Sequence, residues 1–302
     1  MNAPANTSPS TQAGAVPGAV PGAAPRTTPR IPFKKRVAQS GVYVLGALVV
    51  LLFAIALVGD KFVPYDPLAV DYANAFLTPN AQHWFGCDAM GRDLFTRVIC
   101  GAKTSLLTTT ISVIIPVILG CIIGFISAWC GGWVDAVLMR ISDMFQAFPH
   151  LVLGVAIVGI LGPGIINAVL AIIAVAWIRY ARLTRSLILT LKSKPYVATC
   201  KMNGLNDAQI ALKHLLPNIA PHVISMAMLD FGYILLTLAS FSFLGLGIQP
   251  PTPEWGSMLN DGRVGFAATP HLMVPPGCAL FLTVLVFNIF GNALSSRISK
   301  ER

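Results

Sequence analysis

PYVATCKMNGLNDAQIALKHLLPN, residues 195–218, is too polar to sit in lipid, yet it lies between two long apolar segments. It reads as helix, turn, helix. Pro195 suits a first helical turn, where its missing N–H is not needed. Gly204 suits the left-handed position that ends a helix. Asn206 follows as the cap of a second helix, with Gln209 three residues on as its capping-box partner. Leu205 and Ile210 fall at the two positions of a hydrophobic staple, and Asp207 sits at the positive end of the helix dipole. Pro217 is expected to stop this helix. Ala208, Ala211, Leu212 and Leu215 make one apolar face, with Asp207 and His214 off it. Two readings are open: an ordinary amphipathic loop helix, or a helix pair that projects from a membrane domain to dock a soluble partner.

The flanking composition supplies that membrane domain. Of 302 residues, 55% are hydrophobic and 11% charged, against about 25% charged in an ordinary soluble domain. Apolar runs at about 41–59, 104–129, 141–162, 165–183, 220–243 and 272–293 are each long enough to cross about 30 Å of hydrocarbon. The fold class is therefore an all-α membrane protein with six transmembrane helices. With the N-terminus inside, 16 of the 21 Lys and Arg fall inside, which places both termini and residues 195–218 in the cytoplasm. The formal charge of +9 does not point to nucleic acid, because the basic residues flank spans rather than share one face.

Residues 1–36 divide from the rest. Their first 32 are rich in Ala, Pro, Thr, Ser and Gly without apolar periodicity and read as a disordered cytoplasmic tail. Residues 37–302 form the six-span domain, with an outer loop at 60–103 and an inner loop at 184–219. Gly162-Pro163-Gly164 reads as a tight turn between spans three and four. Pro116 and Pro149 are expected to kink spans two and three. Asp143 lies near a span end, whereas Asp230 lies within one. A charge at that depth either bonds between helices or lines a watery pathway. Arg179, Arg182 and Arg185 repeat at three-residue spacing, as lipid-headgroup anchors or contacts to a soluble subunit.

Two outer stretches carry more specific patterns. His83-Trp84-Phe85-Gly86-Cys87-Asp88-Ala89-Met90-Gly91-Arg92-Asp93 combines turn-forming glycines with Asp88, Arg92 and Asp93, which can form a local ion-pair network. His83 and Cys87 alone lack the further ligands a closed metal site needs. The second pattern is Ser242-Phe243-Leu244-Gly245-Leu246-Gly247 followed by Pro250-Pro251-Thr252-Pro253-Glu254-Trp255-Gly256. Gly245 and Gly247 suit close helix approach, and Trp255 suits the membrane interface. The six cysteines include no C-x-x-C; Cys121, Cys130 and Cys278 read as small buried hydrophobes, and Cys87 and Cys100 share one outer loop. There is no G-x-x-x-x-G-K-[ST], and no nucleophilic triad or paired-carboxylate site assembles.

These motifs resemble those of binding-protein-dependent ABC importer permeases. The first outer stretch is similar to the H-x-x-G-T-D-x-x-G-R-D signature of the dipeptide, oligopeptide and nickel branch, with Cys87 in place of Thr. The second is similar to the S-F-L-G-L-G … P-P-x-P-x-W-G stretch of the "C"-type permease of that branch. Gly204, the helix after it and Leu216-Pro217-Asn218 resemble the EAA loop, whose Glu-Ala-Ala falls on Ala198, Thr199 and Cys200 without the acidic residue. The resemblance covers about residues 41–300. It implies a type I importer permease fold in the bacterial inner membrane. Its partners would be a second homologous permease, two ATPase subunits, a substrate-binding protein outside, and lipid. ATP and Mg would bind the ATPases, so this chain would hold no cofactor, metal or catalytic residue. Contacts to the ATPase are expected at Ala198, Thr199, Cys200, Gly204, Leu205, Asn206 and Asp207, and Asp230 is the candidate pathway residue. The cargo implied is a peptide; nickel or a metal chelate is the alternative. An ion-gradient-driven transporter is the alternative of another class, but it would want more ionisable groups at depth and an internal repeat. A membrane scaffold would leave the two outer motifs unexplained.

Overall fold

The computed structural model describes residues 33–263 and 268–300, and these are helical apart from turns and one isolated bridge between Cys87 and Asp93. Ten α-helices follow in chain order: α1 Phe33–Val58, α2 Leu94–Cys130, α3 Gly132–Gln146, α4 His150–Leu161, α5 Ile165–Lys192, α6 Pro195–Met202, α7 Asp207–Ile210, α8 Leu216–Phe243, α9 Trp255–Arg263 and α10 Val274–Lys300. Helix α1 begins four residues inside the expected tail; residues 1–32 lie outside the described residues.

Five helical stretches among the described residues are long and apolar enough to cross a membrane, and α3 with α4 make a sixth if that bent pair is one span. The third span is thus not the single kinked helix expected over 141–162. Helices α3 and α4 meet at 87°. Pro149 lacks an N–H and holds Phe148 out of the helical region, so the ladder breaks there. Pro116, by contrast, is carried inside the unbroken α2.

Helix α2 starts ten residues before the expected lipid boundary, because Asp93 caps it by accepting the Thr96 N–H at 2.8 Å. Its 37 residues span about 55 Å, well beyond the hydrocarbon. Gly162 and Gly164, at φ +89° and +146°, make the expected turn into α5. Helix α5 runs to Lys192, nine residues past its expected end.

Inside a bilayer the lipid is as apolar as leucine, so helices associate where small residues let backbones approach. Gly120 and Gly124 of α2 face α5 so closely that a Cβ on either would sit 2.5 Å from the Trp177 carbonyl oxygen or 2.3 Å from that of Ala181. Helices α8 and α10 meet through Gly232 and Gly291 and through the stacked rings of Phe231 and Phe287, 3.8 Å apart. Phe53 of α1 closes on both rings edge-on.

Pro217 does not stop the second loop helix. Residues Ala211–Leu215 form a π turn, and Leu216 N–H reaches back to the Ala211 carbonyl. The wider ladder lets the chain run on into α8 with Pro217 in its first turn, where no N–H is needed. The Asn218 amide nitrogen donates to the His214 carbonyl at 2.7 Å. The turn also changes which face is buried: Ile210, Leu215 and Ile219 point inward, whereas Ala208 and Leu212 are exposed.

Candidate functional site

The helix pair α6–α7 is built as its local signals require. Pro195 occupies the first turn of α6, Gly204 takes φ +78°, and Asn206 and Gln209 exchange both capping-box bonds, at 2.8 and 3.1 Å. Leu205 and Ile210 pack into one cluster with Val197, Leu215, Ile188 and Ala128. That cluster seats the pair on the ends of α2 and α5.

A polar clasp reinforces the seat. The half-buried Trp129, near the end of α2, donates its indole N–H to Asp207 Oδ2 at 2.7 Å. Lys192 and Lys201 lie 5.2 and 4.9 Å from its ring centroid, and Phe125 stacks on it at 5.5 Å. Lys192 Nζ also donates to the carbonyls of Ala128 and Trp129, which neutralises the negative end of α2. Trp129 thus touches α5, α6 and α7 at once. Sequence reading passes over it, because a tryptophan at a span end ordinarily marks the lipid interface.

Of the expected contact residues, Ala198, Thr199, Gly204, Asn206 and Asp207 are exposed at the tip, whereas Cys200 and Leu205 turn inward against the cluster. Met202, 86% exposed, adds an apolar side chain to this surface. The tip is exposed, while the caps and the clasp hold its base to α2 and α5.

The three arginines of α5 each take a carboxylate within the chain. Arg179 pairs with Asp230 of α8 at 2.8 Å, Arg182 with Asp143 of α3, and Arg185 with Asp135 of α3 at 2.5 Å. They tie α5 to the broken span and to α8, so headgroup anchoring is not needed to account for them. Of the two roles left open for Asp230, the bond between helices is the one observed. Asp230 also lies in the wall of a cleft formed by α4, α5 and α8.

The opposite end of α2 carries a cap built from the two motif stretches. Asp88 accepts the Met90 and Arg92 backbone N–H groups and the Arg92 Nε at 2.7–3.0 Å, with Arg97 Nε at 3.4 Å. Asp93 pairs with His83 instead, at 2.9 Å, while capping α2. Glu254, fully buried, accepts the N–H groups of Gly256 and Ser257, both at 2.8 Å, and the Ser105 hydroxyl. Burial raises its carboxyl pKa against the pull of those bonds. Trp255 is not at the interface: it is buried, and its indole N–H donates to the Val98 carbonyl at 2.9 Å. Gly245 serves a left-handed turn at φ +77° rather than a close helix contact. Cys87 and Cys100 are free thiols, and burial pushes the Cys87 thiol up to about 11. Cys130 and Cys278 are exposed rather than buried, Cys130 at the helix end and Cys278 on α10. Among the described residues no three His, Cys, Asp or Glu side chains gather around a possible metal position.

Comparison with known proteins places this geometry. The family described as binding-protein-dependent transport system inner membrane component matches residues 95–300. The nickel transport system permease protein NikC of Escherichia coli K12 is 39% identical over 251 residues, covering 83% of this chain and 91% of that protein. The glutathione transport system permease protein GsiD of Shigella flexneri serotype 5b is 41% identical over 271 residues, 89% of each. In three dimensions, a chain of the MetNI methionine ABC transporter, solved in inward-facing conformations, matches with a TM-score of 0.54 at 16% identity, covering 68% of this chain and 97% of that one.

Proposed function

The chain belongs to the family of binding-protein-dependent transport system inner membrane components, in the dipeptide, oligopeptide and nickel branch, and from this premise we propose how it works. It is a multi-pass permease subunit of an ABC importer with the type I permease fold, and the ATPase is on a partner subunit. In our reading its cargo is a small peptide, and it pairs with a second homologous permease over two ATPase subunits that hold ATP and Mg. Both termini and α6–α7 face the cytoplasm, as the distribution of Lys and Arg supports. The outer cap receives the substrate-binding protein.

The observation that carries the mechanism is the clasped helix pair. Its tip is exposed, and its base is fixed to α2 and α5 through Trp129 and the apolar cluster. Closure of the ATPases on ATP would press on the tip around Gly204, Asn206 and Asp207. The rigid seat would pass that displacement to α2 and α5, and the ion pairs of α5 would carry it to α3 and α8. The pathway then opens outward to accept cargo. No chemical step on the nucleotide occurs on this chain.

The glutathione relative supports the peptide cargo, glutathione being itself a tripeptide. The nickel relative, at nearly the same identity, favours nickel or its chelate as a second reading. Family membership removes the ion-gradient alternative. The test is uptake in intact cells with and without the gene, using a labelled dipeptide, labelled glutathione and a labelled nickel salt, each with ATP present or depleted. Loss of ATP-dependent peptide uptake alone supports the proposal. Loss of nickel uptake alone moves the cargo to the metal.

A further inference from the structure

The cleft between α4, α5 and α8 has apolar walls, including Ala171, Ile172, Val175 and Ile234, and one ion pair, Arg179 with Asp230. The two partners are unequal. Asp230 is sealed in, its side chain 4% exposed, whereas Arg179 is 39% exposed. Each is the fifteenth of 28 residues in its helix, so the pair sits at mid-helix on both sides. Arg179 spends Nη1 on Asp230 at 2.8 Å and rests 5.8 Å from the Tyr233 ring. A guanidinium presents five donors, and the ion pair with Asp230 leaves part of that fork facing the cleft.

The broken span adds a second source of positive potential. His150, the first residue of α4, lines the same cleft. Pro149 supplies no side-chain cap, so the first N–H groups of this 12-residue helix carry their partial charge unshielded by a capping group. A discontinuous helix whose N-terminus meets a cleft is a recurrent way for a transporter to hold an anionic cargo group.

We propose that this cleft is a cargo-contact site in which Arg179 reads the ionised carboxylate of a peptide, with Asp230 as its positioning residue. The inference rests on the peptide reading given above. Asp230 neutralises the Arg179 guanidinium, so no bare charge lies in a low-dielectric cleft. It also holds the guanidinium in one orientation, leaving free donors for the carboxylate. Because the arginine is already paired, the carboxylate is held by hydrogen bonds to a compensated charge. That contact is strong enough to orient cargo and weak enough to release it, as a pathway site requires.

The experiment uses the full complex in liposomes and compares a dipeptide with its C-terminal amide. The wild type is expected to favour the free acid, with a KM about tenfold lower than for the amide. Arg179→Gln with Asp230→Asn removes both charges together, so neither is left buried and alone. In that double variant the ratio of the two KM values is expected to fall to about one. Arg179→Lys, which keeps charge but not the fork, should give an intermediate ratio. A double variant that retains the tenfold preference, or a wild type without one, overturns the site. Equal losses for acid and amide would reduce the pair to a structural tie and likewise overturn it. If the wild type moves neither compound but moves nickel, the peptide reading fails and the site falls with it.

Discussion

Replacing Trp129 should separate ATP hydrolysis from transport. The indole N–H to Asp207 contributes about 1 kcal/mol at this partly exposed position. Each of the two lysines over the ring contributes about 0.5–1 kcal/mol, and the stack on Phe125 a similar amount. These terms overlap and the lysines regain water, so Trp129→Ala should loosen the seat of α6–α7 by about 2–3 kcal/mol. At about 1.4 kcal/mol per decade, the balance between seated and unseated pair moves roughly 30- to 140-fold. Trp129→Phe keeps the ring and loses the N–H, which costs about 1 kcal/mol, or about fivefold. The assay is the complex reconstituted in liposomes, scored as ATP hydrolysed per cargo molecule moved. Trp129→Ala should raise that ratio at least tenfold while the complex still assembles, with Trp129→Phe between it and wild type. A wild-type ratio in Trp129→Ala would refute the clasp as the transmitting element. A Phe variant as poor as Ala would show that the ring contacts contribute nothing.

Other outcomes follow from the same geometry. A Cβ at Gly204 would meet nothing within 4 Å, so Gly204→Val costs backbone strain alone, about 1–2 kcal/mol at φ +78°. It should abolish uptake at normal membrane abundance, while Gly204→Asn, which tolerates that conformation, keeps most of it; normal uptake with Val would count against the loop. Gly124→Ala forces a Cβ to 2.3 Å from the Ala181 oxygen and should destabilise the purified complex by about 1–3 kcal/mol in thermal melts, whereas Gly159→Ala, with open space around it, should not. Glu254→Ala strands the Gly256 and Ser257 N–H groups and should cost about 2–3 kcal/mol, with Glu254→Gln milder, read from the same melts. A Cys87 thiol near 11 is about 10⁻⁴ thiolate at pH 7, so maleimide should spare it and label the exposed Cys130. An impermeant maleimide should reach Cys130 from the cytoplasmic side only, and labelling from outside would reverse the proposed orientation.

The helix pair was legible because its signals are local. Pro195, Gly204, Asn206 and Gln209 act within one or two turns, and each takes the position its chemistry prefers. The outer motifs were legible as motifs but not as structure. Beside their local partners, Arg97 reaches the Pro67 carbonyl, 30 residues away, and Glu254 the Ser105 hydroxyl, 149 residues away, separations no local pattern encodes. For the same reason Arg179, Arg182 and Arg185 read as a lipid-facing row until α3 and α8 bring their carboxylates alongside. Apolarity marks where lipid is, not where a helix ends, so α2 and α5 outrun their expected spans into capped and charged segments. Pro217 misled because a proline stops a regular α-ladder but not one already widened by a π turn. The Gly120-x-x-x-Gly124 spacing stands in the sequence, yet only the fold reveals that it faces α5.

The central claim is that energy enters this chain through the tip of α6–α7. Met202 is the most direct probe, because it is 86% exposed there and lies outside the caps and the clasp. A photo-reactive residue at position 202 of the assembled complex should cross-link to the ATPase subunit, with a yield that changes on adding ATP. Cross-linking to the substrate-binding protein, or none to the ATPase in a complex that transports, would contradict the account.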